Sequence, residues 1–170
     1  MLTTDGAKRL YFEYAESLPI IDYHCHVSPK EIWEDKRFAN LTELWLSGDH
    51  YKWRLMRSEG IDEYYITGDA DPYEKFEKFA ALMPKAIGNP MYHWCHLELK
   101  KYFGYTGVLS ARTAKEIWDL SVEKLKEENM SVRGIIKQSN VTFIGTTDDP
   151  VDSLECNKQL SLPTTAFLLL

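Results

Sequence analysis

The chain has 170 residues, of which 44% are hydrophobic and 27% charged, a composition typical of one folded domain. Acidic residues outnumber basic ones, 26 against 20, and the net charge of −6 excludes a protein that binds nucleic acid through a basic surface. No apolar run approaches the ~20 residues that span a bilayer. Three scattered cysteines favour a reducing compartment over a disulfide scaffold. We therefore expect a cytoplasmic protein with no nucleic-acid or membrane partner.

The first 27 residues are predicted to form a helix followed by a strand. An amphipathic pattern predicts the helix over 3–16, and Pro19 stops it. The segment 20–27 (IIDYHCHV) is apolar at its start and predicts a buried strand whose carboxyl end carries polar residues. Core strands rarely use an aspartate and two histidines at buried positions. This conflict indicates a functional site at the end of the strand.

His24 and His26 are the strongest chemical signal in the sequence. Residues two apart on a strand point to the same face, so both imidazoles can converge on one point. Neutral imidazole is a ligand for Zn²⁺ and its first-row neighbours. Two ligands are too few, so a carboxylate or another histidine must come from elsewhere, with Asp22 on the same face as support. The alternative is that both histidines are polar loop residues.

Residues 30–139 are predicted to be mostly helical, and a second strand is predicted over 141–147. The predicted helices cover 51–58, 72–83, 90–102, 113–128 and 131–139. After the second strand, Asp149 before Pro150 predicts the start of another helix. A strand, helices and a strand in this order predict a parallel sheet. Because two parallel strands alone leave their faces and edges uncovered, we expect a larger protein or a partner.

The segment 48–54 (GDHYKWR) is the second chemical signal, and it opens a helix. A helix N-terminus favours an anion, and the planar fork of Arg54 can bind a carboxylate. His50 or Tyr51 at this place could hold a sugar hydroxyl or transfer a proton. The alternative is an ordinary helix start with an aromatic packing face and a solvated basic face.

Two weaker signals have simpler structural explanations. Residues 146–150 (TTDDP) lie at the carboxyl end of the second strand, where α/β sheets bind ligands, but the same residues also suit a helix cap, which we favour. His93 and His96 share a helix face next to Cys95, which suggests metal. The aromatic neighbourhood favours a packed helix instead.

Together these segments resemble the uronate (glucuronate) isomerases, a divergent branch of the amidohydrolase superfamily. The resemblance covers about residues 3–157 and is carried by the segments 18–26, 40–45, 48–54, 87–94 and 146–150 in the family order. Residues 161–170 end in an apolar stretch unlike the family, and we expect an atypical tail that arose by truncation or frameshift.

The resemblance implies a (β/α)8 TIM barrel with a large helical insertion, about residues 30–139, after the first strand. Such a barrel needs roughly 250 residues, so residues 1–160 would be its N-terminal part. The family reaction is the aldose–ketose isomerisation of hexuronates, glucuronate to fructuronate and galacturonate to tagaturonate. Other family site residues lie on later strands, which implies that this segment alone is inactive.

The resemblance also implies roles for individual residues. It makes His24 and His26 metal ligands and His50 and Tyr51 catalytic, and we assign Asp49 and Arg54 to substrate binding. A divalent metal is implied, with Zn²⁺ the first candidate, although the requirement for it stays open. The expected partner is a small hexuronate, and assembly as a homo-oligomer stays open.

Two other functions remain as alternatives. A metal-dependent hydrolase of amides, esters or lactones would use the same two histidines to activate water. It would give no role to the segment 49–51. A non-catalytic helical interaction module would make the histidines incidental, and 170 residues suffice for such a domain.

Overall fold

The computed structural model describes residues 2–161 and the backbone of 168–169. Residues 162–167 and 170, where most of the predicted atypical tail falls, lie outside the described residues. In chain order the elements are α1 Asp5–Leu10 with a π-helical turn Tyr11–Ala15, β1 Ile20–Cys25, α2 Pro29–Trp33, α3 Leu41–Leu46, α4 His50–Ser58, α5 Pro72–Leu82, α6 Pro90–Phe103, α7 Ala114–Lys124, α8 Val132–Gln138, β2 Val141–Thr146, α9 Glu155–Leu160 and β3 Leu168–Leu169. Short 3₁₀ turns occur at Glu63–Tyr65, Met83–Ala86 and Glu128–Met130.

These elements form two compact units. The strand unit combines residues 1–36 with 131–170, and the helical unit is Arg37–Met130. No helix among residues 2–161 is both long enough and apolar enough to cross a membrane.

The sheet of the strand unit is parallel, as the order of elements predicts. β1 pairs with β2, and β2 pairs with β3 through Phe143 opposite Leu168, so the strand order is β1-β2-β3. The third strand comes from the apolar end of the chain, which the sequence analysis left without a strand.

The prediction that β1 is buried is wrong. Ile20 is 48% and Ile21 65% exposed, and only Cys25 of this strand is buried. β1 is an edge strand of the described sheet, so little packs against its first residues. The core of the unit lies instead where α2 packs on α9 and where α8 packs on β2. Its buried residues include Ile32, Val132, Ile136, Ile144 and Leu160.

An aromatic cluster forms the centre of the helical unit, as its aromatic helices predict. Trp45 of α3 lies 6.3 Å from Phe76 and 6.2 Å from Phe79, both on α5, measured between ring centroids. Phe76 also lies 5.5 Å from Trp118 of α7. Such contacts combine large apolar area with preferred ring geometry. They tie α3, α5 and α7 together.

Helix starts follow the sequence closely, because a start depends on nearby residues. The carboxylate of Asp71 accepts the amide hydrogen of Tyr73 at 2.8 Å, and Asn89 accepts that of Met91 at 2.9 Å. Each cap is followed by a proline at the first helical position.

One helix end differs from the prediction, because α7 stops at Lys124 rather than near residue 128. Arg37, distant in sequence, donates to the carbonyl oxygens of Leu125, Lys126, Glu127 and Glu128. The guanidinium thereby satisfies carbonyl groups that an ending helix leaves unpaired.

The cap of α3 provides a stability prediction. Asn40 is mostly buried, and its side chain accepts the amide hydrogen of Glu43 at 2.9 Å. Replacing this acceptor in Asn40→Ala is expected to lower the free energy of unfolding by about 1 kcal/mol. Asn40→Asp keeps an acceptor oxygen and is expected to lose less. Urea unfolding of the 170-residue chain measures both, and equal midpoints for Asn40→Ala and the parent chain would contradict the assignment.

Candidate functional site

The two histidines at the end of β1 lie side by side. The ring centroids of His24 and His26 are 5.0 Å apart, and the rings meet edge to face at 86°. Both side chains are exposed, whereas Cys25 between them is buried. The two imidazoles are therefore in contact with each other, and their convergence on a metal ion stays a prediction.

A bulge and a glycine set the shape of this strand end. Asp22 is opposite Ile144 and Cys25 is opposite Thr146, so β1 carries one extra residue between these pairs. Bulges of this kind redirect side chains and are frequent beside active sites. On the partner strand, a Cβ at Gly145 would lie 2.7 Å from the carbonyl oxygen of Tyr23. The two backbones therefore approach at a distance that only glycine permits.

We expect Gly145→Ala to destabilise the strand unit by about 1–3 kcal/mol, because the added methyl group forces β1 and β2 apart. Gly6→Ala is the matched control, since nothing lies within 4 Å of a Cβ at Gly6. Thermal unfolding of the two variants measures the difference. A Gly145→Ala midpoint equal to that of Gly6→Ala would contradict this, because it would show that a Cβ at residue 145 does not lower stability.

The predicted helix start at Asp149 and Pro150 is wrong. Asp149 accepts the amide hydrogen of Val151 at 3.0 Å, but the chain makes only a turn there. The next helix, α9, begins at Glu155 after Leu154, whose φ of 55° lies in the left-handed region. A cap side chain is thus present without the helix, because the following residues turn toward α9 instead.

A polar network connects the carboxyl end of β2 with α9. The Thr146 hydroxyl donates to the Asp148 carboxylate at 2.5 Å, and the Asn157 amide donates to both residues. Thr147 donates to the carbonyl oxygen of Cys25 at 2.9 Å and joins the ends of β1 and β2. Residues 146–148 therefore lie at the same sheet end as the histidines, where parallel sheets bind ligands.

Charged groups around this end of the sheet affect the pKa of the Cys25 thiol. Burial raises its pKa, and the carboxylates of Asp22 and Asp148 raise it further, while a backbone contact at Val27 opposes them. Two carboxylates and two imidazoles are thus present near the strand ends. Among residues 2–161, however, no three His, Cys, Asp or Glu side chains are grouped closely enough to hold a metal ion.

The second group of predicted residues lies on the first turn of α4 in the helical unit. One oxygen of Asp49 accepts the amide hydrogens of Tyr51 and Lys52 at 2.9 and 3.0 Å, and the other accepts from the Lys52 ammonium at 2.7 Å. Burial alone would raise the pKa of Asp49, but these hydrogen bonds outweigh it and hold the pKa below its ordinary value. Asp49 is therefore the N-cap of α4.

The side chains that follow this cap face outward. Tyr51 is 66% exposed, and the Arg54 guanidinium lies over its ring, 5.6 Å from the centroid. His50 rests edge-on against Trp53 with centroids 5.0 Å apart, and the Trp53 indole donates to the carbonyl oxygen of Leu46 at 2.7 Å. His50 and Tyr51 are thus accessible groups on a fixed turn.

Tyr51 and Arg54 also line a cavity of about 510 Å³ between α4 and the start of α6. Trp94 and Asn89 lie on its other side, and Trp94 is 52% exposed. From the sequence, the aromatic residues of this helix were expected to be packing residues. Trp94 instead borders the cavity next to two predicted site residues.

Behind the first turn of α4 lies a buried charged cluster that the sequence analysis missed. Lys52 is only 7% exposed, so it does not belong to a solvated basic face. Its ammonium is 6.0 Å from the centroid of the Trp45 ring. On α6, burial raises the pKa of Glu98, while Lys52 and the Trp45 indole oppose the shift. Burial also raises the pKa of Cys95 to about 12, so this thiol stays protonated. The sequence feature that could have indicated this cluster is the i,i+3 spacing of Asp49 and Lys52.

The raised pKa of Glu98 predicts how stability depends on pH. A carboxyl group whose pKa is higher in the folded state favours folding when protonated, and this contribution is lost as pH rises above the ordinary value of 4.5 toward the raised one. Glu98→Gln removes the titration, so its stability relative to the parent chain is expected to be greater at pH 7.5 than at pH 4. Urea unfolding at both pH values measures this, and a pH-independent difference would contradict it.

His96 has a structural role, which agrees with the packed-helix interpretation. Its Nε2 accepts the amide hydrogen of Leu109 at 2.9 Å, so Nδ1 carries the proton and donates to the carbonyl oxygen of Tyr92 at 2.6 Å. Both ring nitrogens are engaged within the helical unit, and His96 has no nitrogen free for a metal.

The glucuronate isomerase family matches residues 1–167. The chain belongs to this family. The match continues to residue 167, so the expectation that the resemblance ends near 157 is wrong.

The uronate isomerase of Lachnospira eligens is 59% identical over 160 residues, which are 94% of this chain and 34% of that protein. The uronate isomerase of Lachnoclostridium phytofermentans is 59% identical over 97% of this chain and 35% of its own length. The chain thus spans about a third of these curated relatives.

Solved structures of the glucuronate isomerase family share the fold. The crystal structure of uronate isomerase from Thermotoga maritima matches with a TM-score of 0.92 and 37% identity, covering 99% of this chain and 37% of that chain. Glucuronate isomerase from Caulobacter crescentus matches with a TM-score of 0.84 and 25% identity, covering 91% and 34%. The helix-rich α/β architecture is therefore a family feature.

Proposed function

We propose that this chain is the N-terminal part of a uronate isomerase that interconverts glucuronate and fructuronate, and galacturonate and tagaturonate. The observation that carries the proposal is the 59% identity to uronate isomerases over nearly the whole chain. The activity belongs to the longer protein, because the chain spans about a third of those relatives.

The fold proposal follows from the strand unit. We place β1 and β2 as the first two strands of a (β/α)8 barrel, with residues 30–139 as an insertion between them. The parallel pairing of β1 and β2 supports this, since successive barrel strands are parallel. The exposed start of β1, including Ile20 and Ile21, would then pack against later parts of the barrel.

The reaction needs groups that move protons between two neighbouring carbons. A proton leaves C2 and one is delivered to C1, while the C1 oxygen gains a hydrogen and the C2 oxygen loses one, through an enediol. An imidazole both accepts and donates protons near neutral pH, and a phenol can donate to a developing enolate oxygen. His50 and Tyr51, accessible on the capped turn of α4, are our candidates for these transfers.

Arg54 and Asp49 take different parts in binding. The Arg54 guanidinium lines the cavity beside Tyr51 and suits the hexuronate carboxylate. Both oxygens of Asp49 hold its own helix. We therefore propose that Asp49 supports substrate binding by fixing this turn.

We assign His24 and His26 as two ligands of a divalent metal, with Zn²⁺ the first candidate. Two neighbouring exposed imidazoles fit half of a tetrahedral site, and further ligands would come from outside the described residues. A bound metal would polarise substrate oxygens.

A hybrid enzyme tests the proposal. Residues 1–160 of this chain replace the matching segment of the Lachnospira eligens uronate isomerase, which is 59% identical to this chain over 160 residues. The hybrid is expected to isomerise glucuronate at a rate comparable to its parent. A second hybrid that exchanges only residues 37–130 covers the case in which the first does not fold.

The same preparation tests the hydrolase alternative. A folded hybrid that leaves hexuronates unchanged but hydrolyses a simple lactone in a metal-dependent way would replace isomerisation with hydrolysis. A folded hybrid with neither activity would favour the third function, a non-catalytic interaction module. Measurements of both reactions on one preparation decide among the three functions.

A further inference from the structure

We infer that Lys52 is a positioning residue, whose buried ammonium group, bonded to the Asp49 carboxylate, fixes the turn of α4 that presents His50 and Tyr51. The kinetic consequence of this inference rests on the proposed function. Its structural part stands on the contacts of the helical unit alone.

Burial is the first argument, because a lysine is seldom buried without a specific partner. Lys52 is 7% exposed and its ammonium lies 2.7 Å from the Asp49 carboxylate. By contrast Lys126, which also forms an i,i+3 pair, is 65% exposed beside Glu123. An exposed pair of this kind contributes little, whereas breaking a buried pair leaves an uncompensated charge.

The surroundings of the ammonium come from two further helices. The Trp45 ring lies on α3, and Glu98 and Cys95 lie on α6, so three helices meet around Lys52. The Trp45 indole nitrogen is buried and makes no hydrogen bond of normal geometry, although it lies near the Glu98 carboxyl. The titratable groups facing Lys52 are Asp49, Glu98 and Cys95, and the raised pKa of Cys95 keeps its thiol neutral. Of the two acidic groups, Asp49 is in direct contact with the ammonium, and Glu98 acts on it electrostatically from α6.

A short path of hydrogen bonds connects Lys52 to the outward residues. Asp49 accepts from the Lys52 ammonium with one oxygen and from the Tyr51 and Lys52 amides with the other. A change at the ammonium therefore reaches the backbone of Tyr51 through a single carboxylate. His50 lies between the cap and Tyr51 in sequence, so the same turn carries both proposed catalytic side chains.

Stability and positioning can be separated, because a buried charge without its partner destabilises a fold whatever its function. Lys52→Met is expected to lower stability, because it leaves the carboxylate of Asp49 without its ion-pair partner and that of Glu98 without a nearby cation. The double variant Lys52→Met with Glu98→Gln removes one of these two charges and is expected to regain part of the stability. It does not restore the hydrogen bond to Asp49, so the turn stays loose. Lys126→Met is the matched control.

Amide hydrogen exchange of the 170-residue chain gives a readout that is independent of any substrate. Exchange at the amides of residues 51 and 52 is expected to be at least ten times faster in the double variant than in the parent chain, and unchanged in Lys126→Met. Parent-like exchange at both amides in the double variant would overturn the inference.

Kinetics in the hybrid enzyme give the second readout. The double variant is expected to lose about tenfold or more in kcat for glucuronate, with a smaller change in KM, even where its stability is regained. Recovery of kcat together with stability would show a merely structural role and overturn the inference. An inactive parent hybrid would instead remove the proposed function, and the exchange result would still decide whether Lys52 holds the turn.

Discussion

His50→Ala in the active hybrid enzyme is expected to lower kcat for glucuronate by about 10²–10⁴-fold, the usual contribution of a general acid or base. Tyr51→Phe, which removes only the hydroxyl group, is expected to lower it by about 10²-fold or more. Both residues are exposed on the first turn of α4, and the ring contact of His50 is with Trp53. Loss of either group should therefore change stability little, so that the kinetic effect reports the chemistry.

Tyr64→Phe is the control for Tyr51→Phe, because Tyr64 is an exposed tyrosine of the same unit that lies outside the proposed site. It is expected to keep the activity of the hybrid. Steady-state kinetics with glucuronate and a melting curve for each variant give the comparison. Unchanged turnover in folded His50→Ala and Tyr51→Phe would remove both residues from the site and leave the family assignment intact.

Leu99→Ala is expected to destabilise the chain by about 2–5 kcal/mol, because it opens a cavity in a packed core. Leu99 lies on α6 with no exposed surface, in the unit that also contains the aromatic cluster. A loss of this size is a large fraction of the stability of an ordinary domain. Urea unfolding of the 170-residue chain at neutral pH measures it.

Leu97→Ala is a closely matched control. It removes the same atoms from the same helix two residues away, where the side chain is 61% exposed. A surface substitution of this kind changes stability by about 0.5 kcal/mol or less. Similar losses for the two variants would show that α6 does not bury the face assigned to it.

Several features could be predicted because they depend on residues close in sequence. The caps at Asp49, Asp71 and Asn89 each need one side chain and an amide two or three positions later. The spacing of His24 and His26 also placed the two rings near each other, as observed. These rules operate within about one turn or one pleat, so the sequence alone suffices.

Local rules also explain where the predictions were wrong. Asp149 makes its capping contact, yet no helix begins at Pro150, because a cap permits a helix without enforcing one. The end of α7 depends on Arg37, which is almost ninety positions away in sequence. A pattern read over a few residues contains no information about such a partner.

The amino-acid sequence by itself determined the family, the parallel order of strands and helices, and the residues on the proposed catalytic turn. The tertiary structure alone decided that the start of β1 is exposed and that Lys52 is buried between α3, α4 and α6. The physical reason is that burial depends on which distant elements pack together. Two lysines with the same local spacing to an acidic residue, Lys52 and Lys126, therefore lie in opposite environments.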